Sequence, residues 1–188
     1  MRIAMAVGLA LMLGAGAGAA QVTNREAAGN LAARVDPGCI AVAKAGPELS
    51  PPDLGLGVRA CAKAGRWDEA VELYILMQLR AVYDIQRVAD ISAHQAEDVL
   101  SMQVTESLPR GGQAKMQAAM ERFGGTGGAR HRAFCKTVKA ARRPAHDPAW
   151  MVRHGMGAFV GGGGDGLVKG FRPDAAWKRV LRDYMKCG

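Results

Sequence analysis

Apolar positions recur along this chain at intervals of three and four, and no run alternates cleanly at a period of two. Spacing of the first kind lines one face of a helix, whereas alternation would mark a half-buried strand. The pattern predicts an all-α fold of about eight helices. The clearest segment runs from Trp67 to about Val88. Its polar positions, Asp68, Glu72, Arg80, Asp84 and Arg87, form one narrow stripe broken by Leu76, and nearly everything else there is apolar. A helix apolar over most of its circumference belongs at the centre of a domain, and roughly 22 residues would span about 33 Å.

The punctuation between apolar segments is mostly helix punctuation. Thr23 with Glu26 has the form of a capping box, and Ser50 followed by Pro51, Pro52 and Asp53 joins a cap to first-turn prolines. Asp36-Pro37 predicts a short helix stopped by Gly46-Pro47, and Gly65 ends the helix that Ser50 opens. Ser92 with Gln95 predicts a helix ending before Pro109. Glycines at 111–112 and from Gly124 onward bracket a helix carrying Met116 and Met120. The stretch from Ala129 is a basic amphipathic helix with Phe134, Val138 and Ala141 on one face, terminated by Pro144. Asp147-Pro148 opens a further helical stretch, and a last helix runs from Pro173 to Cys187. The glycine-rich run between these last two reads as a flexible loop; it lacks the Gly-Lys-Ser/Thr of a phosphate loop.

The first 20 residues are expected to leave the mature protein. Arg2 precedes an apolar run from Ile3 to Leu13 interrupted only by Gly8, and small residues fill Gly14 to Ala20. That order is the order of a signal peptide, and the run is too short for a membrane-spanning helix, which takes about 20 apolar residues. The expectation is a signal peptide at 1–20 and a single helical domain at 21–188, in the periplasm or secreted, with no stable membrane insertion afterwards. A chain of that length buries roughly 70% of its unfolded surface.

Export changes the meaning of Cys39, Cys61, Cys135 and Cys187. In an oxidising compartment four widely spaced cysteines read as two disulfides, and without a Cys-x-x-Cys the zinc, thioredoxin-like and haem readings lose their signal. Of three possible pairings, Cys39–Cys61 with Cys135–Cys187 is expected, because each then joins neighbours within one half.

Charge divides the chain unevenly. From Gln21 to Pro109 there are 8 Lys and Arg against 12 Asp and Glu, a net −4; from Arg110 to Gly188 there are 16 against 5, a net +11. A basic half of this kind suits an acidic protein partner, and part of it suits attraction to the acidic half of the same chain. The cations that crowd one helix and its end are Arg130, Arg132, Lys136, Lys139, Arg142 and Arg143, which makes them the candidate partner-binding residues. Aromatics are sparse in the basic half, which argues against nucleic acid, as does export.

One segment carries a family resemblance. Gly65, Trp67, Ala70 and Tyr74 match the glycine, aromatic, alanine, aromatic spacing of tetratricopeptide and Sel1-type repeats. The match covers about residues 56–80, in a single copy, with Val58 and Cys61 standing where the repeats carry small and aromatic residues. The resemblance implies a helical hairpin. Gly65 would permit the turn, Ala70 close approach of the helices, and Trp67 and Tyr74 the filling of the groove beside them.

Candidate chemistry is thin. Asp90, His94, Glu97 and Asp98 lie within about two helical turns, so acids flank a histidine at i−4 and i+4. That arrangement could orient a catalytic imidazole, and it equally suits a surface cluster of ion pairs. His146, Met151, His154 and Met156 mix donor types that copper accepts, in residues that more often fill cores. No nucleophile elbow or His-Glu-x-x-His motif occurs. With no cofactor or metal expected, two function classes are compatible with the chain: an exported protein that acts by binding another, such as an inhibitor, an immunity-type partner or an envelope assembly factor, and a small exported hydrolase using His94 with Asp90 or Asp98.

Overall fold

The computed structural model describes residues 26–160 and 164–188. The signal peptide at 1–20, the Thr23 cap and the loop expectation at 161–163 lie outside the described residues. Among those described are seven α-helices and no strand: α1 (Pro51–Lys63), α2 (Trp67–Arg87), α3 (Ala96–Glu106), α4 (Gly112–Phe123), α5 (Ala129–Ala140), α6 (Ala149–Val152) and α7 (Pro173–Arg179). The last passes directly into a π-helical turn, Val180–Tyr184. The fold is all-α, and both expected disulfides, Cys39–Cys61 and Cys135–Cys187, are formed.

Helix α1 starts where its sequence says it should. Ser50 and Asp53 form a reciprocal capping box, and Pro51 and Pro52 occupy positions whose N–H groups a helix cannot use. Asp53 does more than cap. Its carboxylate is almost fully buried and also accepts the backbone N–H groups of Arg34 and Val35 at 2.7 and 2.8 Å, so it pins the N-terminal strand of coil to the helix start. At the other end Gly65 takes φ +73°, while Arg66 N–H donates to Cys61 and Gly65 N–H to Ala62. These two bonds close a Schellman turn, which needs the left-handed conformation that glycine adopts without cost. The chain then reverses into α2. Ala70 is fully buried at this junction, and Gly55 of α1 allows Val104 of α3 to approach so closely that a Cβ there would lie 2.9 Å from it.

Helix α2 is the central element. It packs on α1, α3, α4, α7 and the π-turn, and Val71, Leu73, Leu76, Met77 and Leu79 are buried along it. Around it the aromatics meet edge to face. Tyr83 contacts Phe171 and Trp177 with ring centroids 5.7 Å apart in each case, and Phe123 of α4 meets Phe134 of α5 at 5.9 Å.

Four boundaries differ from expectation. No helix forms at Asp36: its carboxylate accepts from Gly38 N–H, and only a 3₁₀ turn, Val42–Lys44, follows. The reason is local, because Gly38 takes φ +63°, a left-handed conformation that a right-handed helix cannot continue; further on, the buried Arg80 guanidinium of α2 collects the carbonyls of Ala45, Gly46 and Leu49 and fixes the coil that leads into α1. The segment at Ser92 is capped by Asp90 instead, and runs as a 3₁₀ turn, Ile91–Gln95, before α3 begins at Ala96. Ala141 lies past the end of α5 and is exposed, so Phe134 and Val138 form the apolar face with Cys135. The stretch after Pro148 makes one α-turn and, beyond Gly155, a 3₁₀ turn, Met156–Ala158.

Candidate functional site

The C-terminal part of the polar stripe of α2, Arg80, Asp84 and Arg87, turns out to be buried. Asp84 is fully buried and accepts three hydrogen bonds, from Arg87 Nε at 2.8 Å, Trp150 Nε1 at 2.7 Å and His146 Nε2 at 2.8 Å, with Arg87 Nη2 in ion-pair contact 2.7 Å away. Arg87 also reaches the His146 carbonyl at 2.8 Å and lies 5.1 Å over the Tyr83 ring. A buried carboxylate paired with arginine and saturated with N–H donors is a brace that fixes residues 146–150 against α2. His146 donates through Nε2, and its Nδ1 is buried without a partner. Burial lowers the Arg80 pKa to about 10, which leaves it charged at neutral pH.

The two histidine-based candidates are taken apart by the fold. His94 Nε2 bonds the Val88 carbonyl at 2.9 Å, and among the described residues neither Asp90 nor Asp98 bonds the imidazole. Asp90 instead accepts from Ser92 N–H and Oγ and from Gly157 N–H, bonds that hold its pKa below the ordinary value. Burial, with the Asp98 charge alongside, pushes the Glu97 carboxyl up. The copper-type residues diverge. His146 faces Asp84, His154 Nδ1 bonds Asn30 at 2.9 Å, Met151 fills the core and Met156 is exposed.

The residues of the hairpin resemblance sit at two packing layers. Gly65 and Ala70 belong to the α1–α2 turn. Trp67 and Tyr74 are half-buried toward α4, Trp67 with the Lys115 ammonium 5.7 Å over its ring, and Tyr74 at a hollow shared with Leu108, Met116 and Met120.

The six cations singled out in the basic half divide into groups. Arg130 pairs with Asp68 at 2.6 Å, beside Arg122 at 2.8 Å; the Arg130 bond chiefly, against some desolvation, takes the Asp68 pKa to about 2. Arg143 pairs with Asp174 at 2.7 Å, and Arg142 lies at the same hollow. Arg130 and Arg143 thus serve attraction within the chain. Arg132, Lys136 and Lys139 lie elsewhere, on the flank of α5 that the second disulfide covers with the C-terminal segment. There they meet Lys186 around a groove of about 400 Å³ floored by Cys135 and Cys187. No Asp or Glu side chain among the described residues lines it. Lys139 Nζ donates to a main-chain oxygen of Gly188 at 2.7 Å, and Arg132 donates to the Gly127 carbonyl.

His131 closes one side of the groove. Its Nδ1 accepts from Gly127 N–H at 3.2 Å, its Nε2–H donates to the Met185 carbonyl at 2.8 Å, and Cys135 Sγ lies 3.7 and 3.9 Å from the two ring nitrogens. His131, Cys135 and Cys187 are the group of potential metal donors that converges, all within 4.8 Å, but the disulfide occupies both sulfurs. Lys186 and His131 escaped the sequence reading. Their signal was present: Lys186 precedes a cysteine expected to pair with α5, and His131 lies one turn before that cysteine's partner. No known protein family matches the chain, and no curated protein or solved structure matches it.

Proposed function

We propose that this is an exported protein that works by binding an acidic protein partner, and that the groove between α5 and the C-terminal segment is where the partner docks. One observation carries the reading. The chain pairs Arg122, Arg130 and Arg143 with its own carboxylates, yet among the described residues no Asp or Glu side chain lines the concave surface around which Arg132, Lys136, Lys139 and Lys186 gather. Like charges gathered without counter-charges cost stability through repulsion, and an acidic surface entering the groove would remove that cost. The hydrolase alternative draws no support from His94, whose Nε2 faces a backbone carbonyl.

The test recovers binding proteins from an envelope extract on the immobilised mature chain, purifies the partner and follows association at rising salt. The expected rate falls about tenfold or more between 0.05 and 0.5 M salt, and Lys136→Glu with Lys139→Glu removes the salt dependence. Equal rates at every salt concentration and an unaffected double variant would reduce the cations to a solvated face. A purified protein that binds nothing and degrades an envelope polymer would return the hydrolase reading.

A further inference from the structure

We propose that the cleft lined by His146, between the N-terminal coil and the segment that Asp84 braces, is a binding site for a small organic cation carrying N–H donors, such as a primary amine in its ammonium form. The site is separate from the cationic groove beside the second disulfide and needs no protein partner.

The cleft holds about 270 Å³. Three of its lining side chains are both polar and buried: Ser50, Asp53 and His146. The first two satisfy each other. Asp53 accepts the Ser50 hydroxyl and the backbone N–H groups of Arg34, Val35 and Ser50. All four donors are neutral, so the Asp53 charge is solvated by dipoles and has no cation bonded to it.

His146 is the unsatisfied member. Asp84 can only accept, so His146 Nε2 carries the hydrogen of their 2.8 Å bond, and Nδ1 of the neutral ring is then an acceptor. Among the described residues nothing donates to that atom. A buried acceptor left without a donor costs free energy, which a ligand bringing an N–H recovers. The ring is also fixed in place, because Trp150 Nε1 and Arg87 Nε hold the same Asp84 carboxylate. The open nitrogen is therefore presented in one orientation.

The lining decides the sign of the ligand. Three acids, Glu48, Asp53 and Asp147, stand against two arginines, Arg34 and Arg153. Arg34 is held by Asp147 at 2.8 Å, and Arg153 donates to the Ala28 carbonyl at 2.9 Å. The excess is negative, opposite to the groove beside α5. Val35 and Trp150 supply apolar walls for a carbon skeleton. A metal ion would compete for acids beside a histidine, but the spacing does not suit one: among the described residues the donor group that converges within 4.8 Å is His131 with Cys135 and Cys187, not this one. Nδ1 is closed to bulk water, so entry of a ligand requires a small displacement of the lining. The Arg34–Asp147 pair is the part able to yield, since both side chains are more than half exposed and a surface ion pair holds weakly.

The experiment follows the ring nitrogens of His146 by NMR in the mature chain with both disulfides intact, near neutral pH and at constant ionic strength. The resonances are assigned through the Trp150 indole, which shares the Asp84 carboxylate. Three probes are titrated: methylammonium, tetramethylammonium and acetate. Methylammonium is expected to move Nδ1 upfield, as an imine-type nitrogen moves on accepting a hydrogen bond, and to saturate at about 10 mM or above, the range a ligand of two heavy atoms can reach. Tetramethylammonium has the charge without the N–H and should leave Nδ1 unmoved, as should acetate. Glu48→Gln, at an exposed position, should weaken methylammonium by about threefold. Lys136→Glu with Lys139→Glu, at the other groove, should not change it. An Nδ1 that carries a proton in the ligand-free chain would overturn the assignment. So would equal responses to methylammonium and tetramethylammonium, or an Nδ1 that methylammonium never shifts, which would leave the cleft to water.

Discussion

Two disulfides staple this molecule, and their surroundings differ as much as their chemistry is alike. Cys39–Cys61 closes a loop with sequence separation 22 and belongs to the acidic half, where capping box, Schellman turn and apolar packing agree with one another. Cys135–Cys187 closes a separation of 52 and belongs to the basic half, where cations, a histidine and a left-handed lysine gather around it. By chain entropy the second constrains the unfolded state more, about 4 against about 3 kcal/mol. The same kind of bond therefore stabilises in both places, with apolar packing around the first and a ring of cations around the second.

The comparison can be broken most severely at the brace that joins the halves. Asp84→Ala strips the counter-charge from the buried Arg87 and releases His146 and Trp150. The expected loss is about 3–5 kcal/mol, read as a lower urea midpoint. A loss below about 1 kcal/mol would mean that the halves are held together by apolar contacts alone. A middle-sized effect sharpens the contrast. Ala70→Leu overpacks the first hairpin and is expected to cost about 1–3 kcal/mol, whereas Lys136→Glu on the exposed flank of α5 should stay within about 0.5 kcal/mol. Similar urea midpoints for the two variants would erase the distinction between packed and solvated halves.

The smallest effect concerns the charges that cross between them. Asp68 on α2 holds Arg122 and Arg130 with its pKa lowered from 3.8 to about 2, so its pairs contribute stability above pH 3.8 and lose it as pH falls through about 2. All three side chains are more than a third exposed, and solvent screening keeps the contribution below about 1 kcal/mol. Asp68→Asn should therefore lower the urea midpoint slightly at pH 6 and by clearly less near pH 2. A difference that persists undiminished at the lower pH would assign the effect to packing.

What could be read from the chain follows from how local the determinants are. Ser50 with Asp53, Gly65, and the long apolar surface of α2 act within a few residues of one another, so their outcome was visible in order. The pairing of cysteines within each half followed the same rule of nearness. The missing helix at Asp36 was hard to read because Asp-Pro-Gly serves a helix start and a turn alike, and here Gly38 takes the left-handed turn conformation with its N–H on the Asp36 carboxylate. Asp84 and His146 stand 62 positions apart and meet only because α2 is central. The charge count identified the basic half correctly but could not divide it, since whether a cation is spent on Asp68 or Asp174 or left at the groove depends on which helix faces which.

The central claim is that the groove beside Cys135–Cys187, and not the first hairpin, meets the partner. Amide hydrogen exchange of the oxidised chain, with and without a saturating acidic partner at low salt, tests it most directly. The account predicts slowed exchange confined to residues 127–140 and 185–188, with α1 and α2 unchanged. Slowed exchange over α1 and α2, with none beside the second disulfide, would contradict it.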